Sequence, residues 1–401
     1  MENGHVAVVG ASLAGLRTVE GLRRAGFGGR ITLVGDELHP PYTRPPLSKQ
    51  VLAGTWEPER VWLRPPAKLH ELDVDLRLGV RAESVDVDAH VVELADGPLG
   101  YDSLVVATGA SPRRLPGDDL EGVHVLRRLD DAVALRDALA EARRLVVVGA
   151  GFIGCEVAAT AHERGLEVTV VEPLPAPMLR GLGPELGDVA AALHRSHGID
   201  MRCGAGVAGL RGDGRVTGVT LADGSIVPAD LVVVGIGVVP NVAWLAGSGI
   251  DTTDGVLCDA TLAAEGVDDV WAAGDVARWR HPAYGEPVRF EHWTVAAEHG
   301  RAVAEAIVAG PGAAVPHGPV PYVWSDQLGT RIQIVGRPSP TDQVDVVLGS
   351  TEERRFLALL GRDGALTGAV AFGMPKPLMA LLAQLERGPL SVSGAREVAA
   401  A

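Results

Sequence analysis

Gly149, Gly151 and Gly154 stand where an apolar run, LVVVG at 145–149, gives way to a helical pattern through Val157, Ala158 and Ala161. G-x-G-x-x-G between a strand and a helix lets the chain turn tightly and brings a pyrophosphate against the helix N-terminus. Phe152 and Ile153 fill the variable positions, and Glu172 closes the next strand pattern, EVTVVE. A carboxylate there can accept hydrogen bonds from an adenosine ribose and repels a 2′-phosphate; with no arginine after it, the pattern favours NADH over NADPH. A second loop, Gly10-Ala11-Ser12-Leu13-Ala14-Gly15, follows the run HVAVVG and carries serine where the middle glycine is usual. Ser12 crowds a phosphate more than glycine would. A hydrolase elbow, G-x-S-x-G, is not written here, because the last position is Ala14 and no Asp and His are ordered behind Ser12. Asp36 and Glu37 close the following strand pattern, ITLVGDE, which points to a second dinucleotide site.

Lysine occurs only at 49, 68 and 376, so Lys49, inside PYTRPPLSK, invites a role for its charge. Cys155, Cys203 and Cys258 lie far apart, with no C-x-x-C, so neither a zinc ribbon, a thiol redox motif nor a disulfide framework is expected.

The elements that must position these residues form a degenerate repeat. Each glycine loop sits between an apolar β-branched run and a helix, and each helix leads to a second buried strand. Asp96-Gly97 and Asp223-Gly224 then open hairpins leading to YDSLVVATG and DLVVVG. Continuous apolar runs fit parallel strands covered on both faces. From about residue 319 the pattern changes to short antiparallel strands, TRIQIVGR, DQVDVVLG and RRFLALLGR–DG–ALTGAVAF, with a helical stretch at 376–387. The fold class expected is α/β: two duplicated doubly wound dinucleotide-binding domains plus a C-terminal α+β domain.

With 36 basic against 51 acidic residues the net charge is −15, and no basic stripe exists, which excludes nucleic acid as a partner. The longest apolar stretch, 145–161, is broken by glycines and Glu156, so no membrane span is expected. No signal-peptide pattern is present at the N-terminus, and a cytoplasmic location follows as an expectation.

GASLAG, PYTRPPLSK, VVATGASPRRLPG, VVVGAGFIGCEVA, VVVGIGVVPN, VWAAGDVA, FEHWTVAAEHG and PYVWSDQLG together resemble the FAD- and NADH-dependent ferredoxin reductases, with PPLSK, E-H-W and WSDQ the specific parts. The resemblance covers essentially the whole chain. It implies a glutathione-reductase-like fold in which 1–108 and 239–317 bind FAD, 109–238 binds NADH and 318–401 forms the C-terminal reductase domain. For FAD it implies Gly10, Ser12, Leu13, Ala14 and Gly15, the acids Asp36 and Glu37, and Arg44, Lys49 and Val80. Ala107, Thr108 and Gly109 match the crossover strand, and Gly274 and Asp275 the turn at the ribityl chain. Arg127 matches a cofactor contact, with Arg128 as the alternative; Trp293 and Trp324 match positions near the flavin ring, where a core role stands beside that reading. For NADH it implies the second loop, Glu172, and Gly235, Ile236 and Gly237. Lys49 and Glu156 are implied to tune the flavin electrostatically.

The activity implied is NADH:ferredoxin oxidoreductase: hydride passes from NADH to FAD, then single electrons pass to an iron–sulfur ferredoxin, [2Fe–2S] in type, serving a cytochrome P450 or an oxygenase. The redox cysteines of disulfide reductases are missing from Pro41–Lys49, so no thiol relay is expected. Two alternatives are an NADH-sensing flavoprotein of the apoptosis-inducing-factor type and a reductase of a small organic acceptor. Arg331, Arg337, Arg354, Arg355, Arg362 and Lys376 are candidates for docking an acidic ferredoxin; equally, they fit a solvated face paired with Glu352, Glu353 and Asp363.

Overall fold

The computed structural model describes residues 4–310 and 312–400, which group into two compact units. The first comprises the chain up to Thr43, Val61–Ser111 and Val239–Pro319; the second comprises Arg44–Arg60, Pro112–Val238 and the chain from Val320 onward. Arg44–Arg60, although it lies inside 1–108, groups with the second unit.

In the first unit, β-branched runs too apolar for solvent pair into a five-stranded sheet in the order Val270–Ala272, Ser103–Val106, His5–Val9, Arg30–Gly35, Asp75–Leu78. Every pairing in it is parallel. The helices Leu13–Arg24 and Trp293–Ala309 lie so close that a Cβ on Gly300 would stand 2.4 Å from the Ala14 carbonyl oxygen.

The second unit repeats the plan, with the order Val123–His124, Leu231–Val234, Arg144–Val148, Glu167–Glu172, Asp200–Cys203, again all parallel. In both sheets the strand before the glycine loop is central. Ligands of such sheets bind at the carboxyl ends of the strands, where the chain direction of connection reverses. The helix Leu179–Ser196 is interrupted at Gly183, whose φ of 70° precedes Pro184.

The C-terminal part of this unit is a five-stranded antiparallel sheet in the order Tyr322–Gln327, Thr330–Gly336, Ala365–Phe372, Arg355–Arg362, Gln343–Ser350. The turn Asp363-Gly364 takes positive φ at both residues, 51° and 79°, as a two-residue hairpin requires. Two helices follow, Pro375–Leu385 and Val392–Ala400; only the first was expected. One face of this sheet shares a hydrophobic core with the parallel sheet, joining Ile332, Ile334, Phe356 and Phe372 to Leu182, Leu186, Val147 and Val170.

Candidate functional site

Each glycine loop is closed by backbone meeting backbone. Gly10 has φ +125°, and a Cβ there would lie 2.0 Å from the Ala107 carbonyl oxygen; Gly149, at +99°, would meet the Gly235 oxygen at 2.3 Å. Cβ atoms on Gly15 and Gly154 would strike Gly10 O and Gly149 O at 2.0 and 2.1 Å. Only glycine allows the helices to start this close to the strands. Ser12 and Gly151 precede the helices in extended backbone, and neither gives a side-chain cap. Leu13–Arg24 and Phe152–Glu163 therefore start with their first N–H groups uncapped by a side chain, as an anion-binding N-terminus requires. Nothing stands within 4 Å of a Cβ on Gly151, so the second loop opens outward. These features fit a dinucleotide pyrophosphate at each loop.

Glu172 holds the loop itself in place. It is 8% exposed, and its carboxylate accepts the Ala150 N–H at 2.8 Å and the Leu174 N–H at 2.9 Å, clamping the glycine loop to the strand end. In the first unit Glu37 accepts from the Tyr42 hydroxyl at 2.5 Å, while Asp36 is exposed beside it. Gly237, at φ +94°, accepts from the Arg113 N–H at 2.9 Å, and Ile236 packs on the core of the second sheet.

Around the first loop, Val80 donates its N–H to Gly35 O at 2.9 Å. The crossover Ala107-Thr108-Gly109 is pinned by Asn241, whose side chain donates to Thr108 O at 2.9 Å while Thr108 Oγ1 returns a bond to Asn241 O at 2.8 Å. Asn241 ends the segment VVVGIGVVPN, and nothing in its local pattern marks it as a pin for the crossover. Trp293 Nε1 donates to Thr43 Oγ1 at 3.0 Å. Gly274 and Asp275 form a short 3₁₀ turn; Gly274 donates to His299 Nδ1 at 3.3 Å, and a Cβ on it would press on Ala14 at 3.1 Å.

That hydrogen bond requires His299 to be neutral, and burial holds its pKa well below 6.5, helped by His317 and His281. Burial also lowers His292 and His317 to about 4. The unfolded chain takes up these protons near pH 6.5 and the folded one does not, so their stability contribution is complete above 6.5 and is lost as pH falls toward 4. We expect thermal unfolding of the protein to show a falling midpoint across that window. His317→Gln should flatten the slope, removing about 2 kcal/mol of the loss at pH 5; an unchanged slope would show that His317 is protonated alike in both states.

Lys49 lies in the short π-helix Leu47–Val51 of the second unit. Its Nζ stands 2.8 Å from Glu156 Oε2, with side-chain exposures of 14% and 3%. Glu156 also accepts from Ser48 Oγ, on Oε2, and from Ser325 Oγ at 2.6 Å, on Oε1. Ser48, Ser325 and Gln327 were missed as site residues, although PPLSK and WSDQ, which contain them, were singled out. Arg44 Nη1 donates to the Arg127 carbonyl, so those two residues adjoin, while Arg128 stands at the N-cap of the helix Leu129–Glu141 and donates its backbone N–H to Asp131 Oδ2 at 2.8 Å. Trp324 stacks on Tyr322 with ring centroids 5.9 Å apart.

Among the docking candidates, Arg331 pairs with Asp326 and Arg362 with Asp342, not with Glu352, Glu353 or Asp363. For these two arginines the partners sit on a neighbouring strand or loop, brought near by sheet register.

Residues 4–300 match the family model described as pyridine nucleotide-disulphide oxidoreductase, and residues 322–396 match the reductase C-terminal model. The chain is 38% identical to rhodocoxin reductase of Rhodococcus erythropolis, over 94% of this chain and 88% of that one. The chain belongs to the ferredoxin reductases. The reductase is also 38% identical to the ferredoxin–NAD(+) reductase component of the biphenyl dioxygenase system of Paraburkholderia xenovorans (strain LB400), over 91% and 89% of the two chains. A solved covalent putidaredoxin reductase–putidaredoxin complex matches with a TM-score of 0.93 at 32% identity, covering 100% and 99%. The reductase is thus an oxidoreductase of a family that works with FAD and a nicotinamide nucleotide. Its buried thiols, Cys155 and Cys258, are pushed up in pKa, first by burial. Among the described residues no helix is long and apolar enough to cross a membrane.

Proposed function

We propose that this chain oxidises NADH and passes single electrons to a [2Fe–2S] ferredoxin that serves a cytochrome P450 or an oxygenase, working in the cytoplasm. In this reading 1–108 and 239–317 hold FAD, 109–238 holds NADH, and 318–401 is the C-terminal reductase domain. The observation that carries it is Lys49, held 2.8 Å from a buried Glu156 in a segment that has no cysteine. A cation fixed there is suited to stabilising the negative charge that a reduced flavin gains, with no thiol to take the electrons onward. FAD supplies the switch between a two-electron donor and a one-electron acceptor. The chain's own residues bind and orient: the two loops hold the pyrophosphates, Glu172 keeps the second loop in shape and disfavours a 2′-phosphate, and Asp275 holds the ribityl chain. The relatives named for rhodocoxin, biphenyl dioxygenase and putidaredoxin support the choice of acceptor.

The test is anaerobic rapid mixing of the purified protein with NADH, then with an oxidised [2Fe–2S] ferredoxin. Flavin absorbance should bleach quickly and recover quickly, and NADPH should bleach it at least tenfold more slowly. A bleached state that ferredoxin cannot discharge would favour the sensor reading, and a protein that takes up no FAD would end both.

Docking gives a further prediction. Arg354, which reaches Ser196 Oγ at 2.7 Å, and the exposed Arg355 remain candidates for an acidic partner. The double charge reversal to glutamate should slow ferredoxin reduction about tenfold at low salt while NADH oxidation by ferricyanide is unaltered. Equal ferredoxin rates would remove this edge from the docking face.

A further inference from the structure

Behind the Lys49–Glu156 pair runs a buried chain of polar groups that neither nucleotide loop uses. Ser325 and Gln327 alternate with Trp324 and Asp326 along Tyr322–Gln327, so both point to one face of the strand. Ser325, Gln327 and His194 are 0%, 1% and 0% exposed. Ser325 Oγ lies 2.6 Å from Glu156 Oε1 and 2.9 Å from Gln327 Nε2; Gln327 Oε1 lies 2.9 Å from His194 Nε2.

The direction of every bond in this chain can be worked out. Gln327 Nε2 also stands 3.4 Å from Met178 Sδ. A thioether has no proton to give, so the amide nitrogen, not the carbonyl, must face Met178 and Ser325. The amide oxygen then faces His194, and His194 must donate through Nε2. Burial, with His197 and His162 nearby, lowers the His194 pKa and keeps it neutral, so its Nδ1 carries no proton. That atom has no hydrogen-bond partner among the described residues, as an unprotonated nitrogen in an apolar setting can tolerate. Ser325 receives from Gln327 and so turns its own proton to Glu156. All the donors point one way, toward the carboxylate.

We propose that His194, Gln327 and Ser325 are positioning residues: a one-directional hydrogen-bond chain that fixes Glu156 Oε1 and leaves Oε2 to Lys49, so that the C-terminal sheet sets the charge presented to the flavin. This rests on the reading that Lys49 faces the flavin. A buried network is strong only when every member is satisfied, and the loss of one donor is felt along it. Without the Ser325 proton more of the Glu156 charge is left to oppose Lys49, which disfavours reduced flavin.

Two measurements test the proposal. Histidine side-chain ¹⁵N spectra of the apoprotein, assigned with His194→Asn, should show His194 as the Nε2–H form, and Gln327→Met should shift that signal. In the holoprotein, Ser325→Ala and Gln327→Met should each lower the ratio of reduced to oxidised flavin against a reference dye by about three- to tenfold. Ser325→Thr, which keeps the hydroxyl, should restore the ratio, and FAD content and melting midpoint identify any variant that has not folded. An Nδ1–H form of His194 overturns the proposal. So does an unmoved ratio in both variants when Lys49→Met moves it. If Lys49→Met leaves the ratio unmoved, it is the placement of Lys49 beside the flavin that fails, and the imidazole spectra alone then decide the chain.

Discussion

Gly154→Ala should yield a protein that is still yellow with FAD yet bleaches with NADH at least 100-fold more slowly than the parent. The added Cβ would sit 2.1 Å from the Gly149 carbonyl oxygen, a backbone atom that no rotamer change can move. Either the helix Phe152–Glu163 retreats from its strand or the loop opens, and in both cases the helix N-terminus leaves the position from which it holds a pyrophosphate. Gly15→Ala makes the same collision, 2.0 Å from Gly10 O, in the other loop. It should be isolated with little or no FAD. The two variants together separate the nucleotide sites: flavin absorbance per protein reports the first, and the NADH concentration dependence of bleaching reports the second. Loss of FAD from Gly154→Ala, with retention in Gly15→Ala, would exchange the assignments made for the two loops.

Glu156→Ala should be among the most destabilising single changes in the chain. It strands Lys49 with its side chain 14% exposed and removes the acceptor shared by the Ser48 and Ser325 hydroxyls. Breaking a buried pair from one side costs about 3–5 kcal/mol, because an uncompensated charge remains. Lys49→Met should cost less, since Glu156 keeps two hydroxyl donors. The double variant Lys49→Met/Glu156→Leu should recover about half of the Glu156→Ala loss while still reducing ferredoxin poorly. Denaturant unfolding of the parent, Lys49→Met, Glu156→Leu and the double variant Lys49→Met/Glu156→Leu gives the coupling energy as a double-mutant cycle. A coupling near zero would show that Lys49 is held by something other than this carboxylate.

The features legible in the sequence were those written locally. Gly149, Gly151 and Gly154 announce a strand-to-helix turn by spacing alone, and Asp363-Gly364 announces a hairpin that the two positive φ angles realise. Glu172 was legible as the acid after the second strand, but not as the clamp on Ala150, because a side chain folding back on the preceding loop leaves no periodic trace. Lys49 and Glu156 were implied by the resemblance, but the chain that reaches Glu156 from His194 through Gln327 and Ser325 was invisible for a stronger reason. Its members come from two helices and a strand, and His194, Gln327 and Ser325 each alone read as an ordinary polar residue on a helix or strand. The edge strand Val123–His124 was missed because two residues are too short to show alternation. The acids that pair with Arg331 and Arg362 follow from register rather than from neighbourhood in the chain.

The shared core beneath the C-terminal sheet bears on how such proteins can be recombined. Ile332, Ile334, Phe356 and Phe372 bury themselves against Leu182, Leu186 and the second parallel sheet. The sheet is therefore not a cassette. A graft at residue 319 that brings another reductase's acceptor specificity would import four side chains shaped for a different counterpart, at a cost of roughly 1–3 kcal/mol for each poor fit. Lineages that change acceptor while keeping this architecture are expected to vary the outward residues of the sheet and to inherit its inner face together with the helix Leu179–Ser196 as one block.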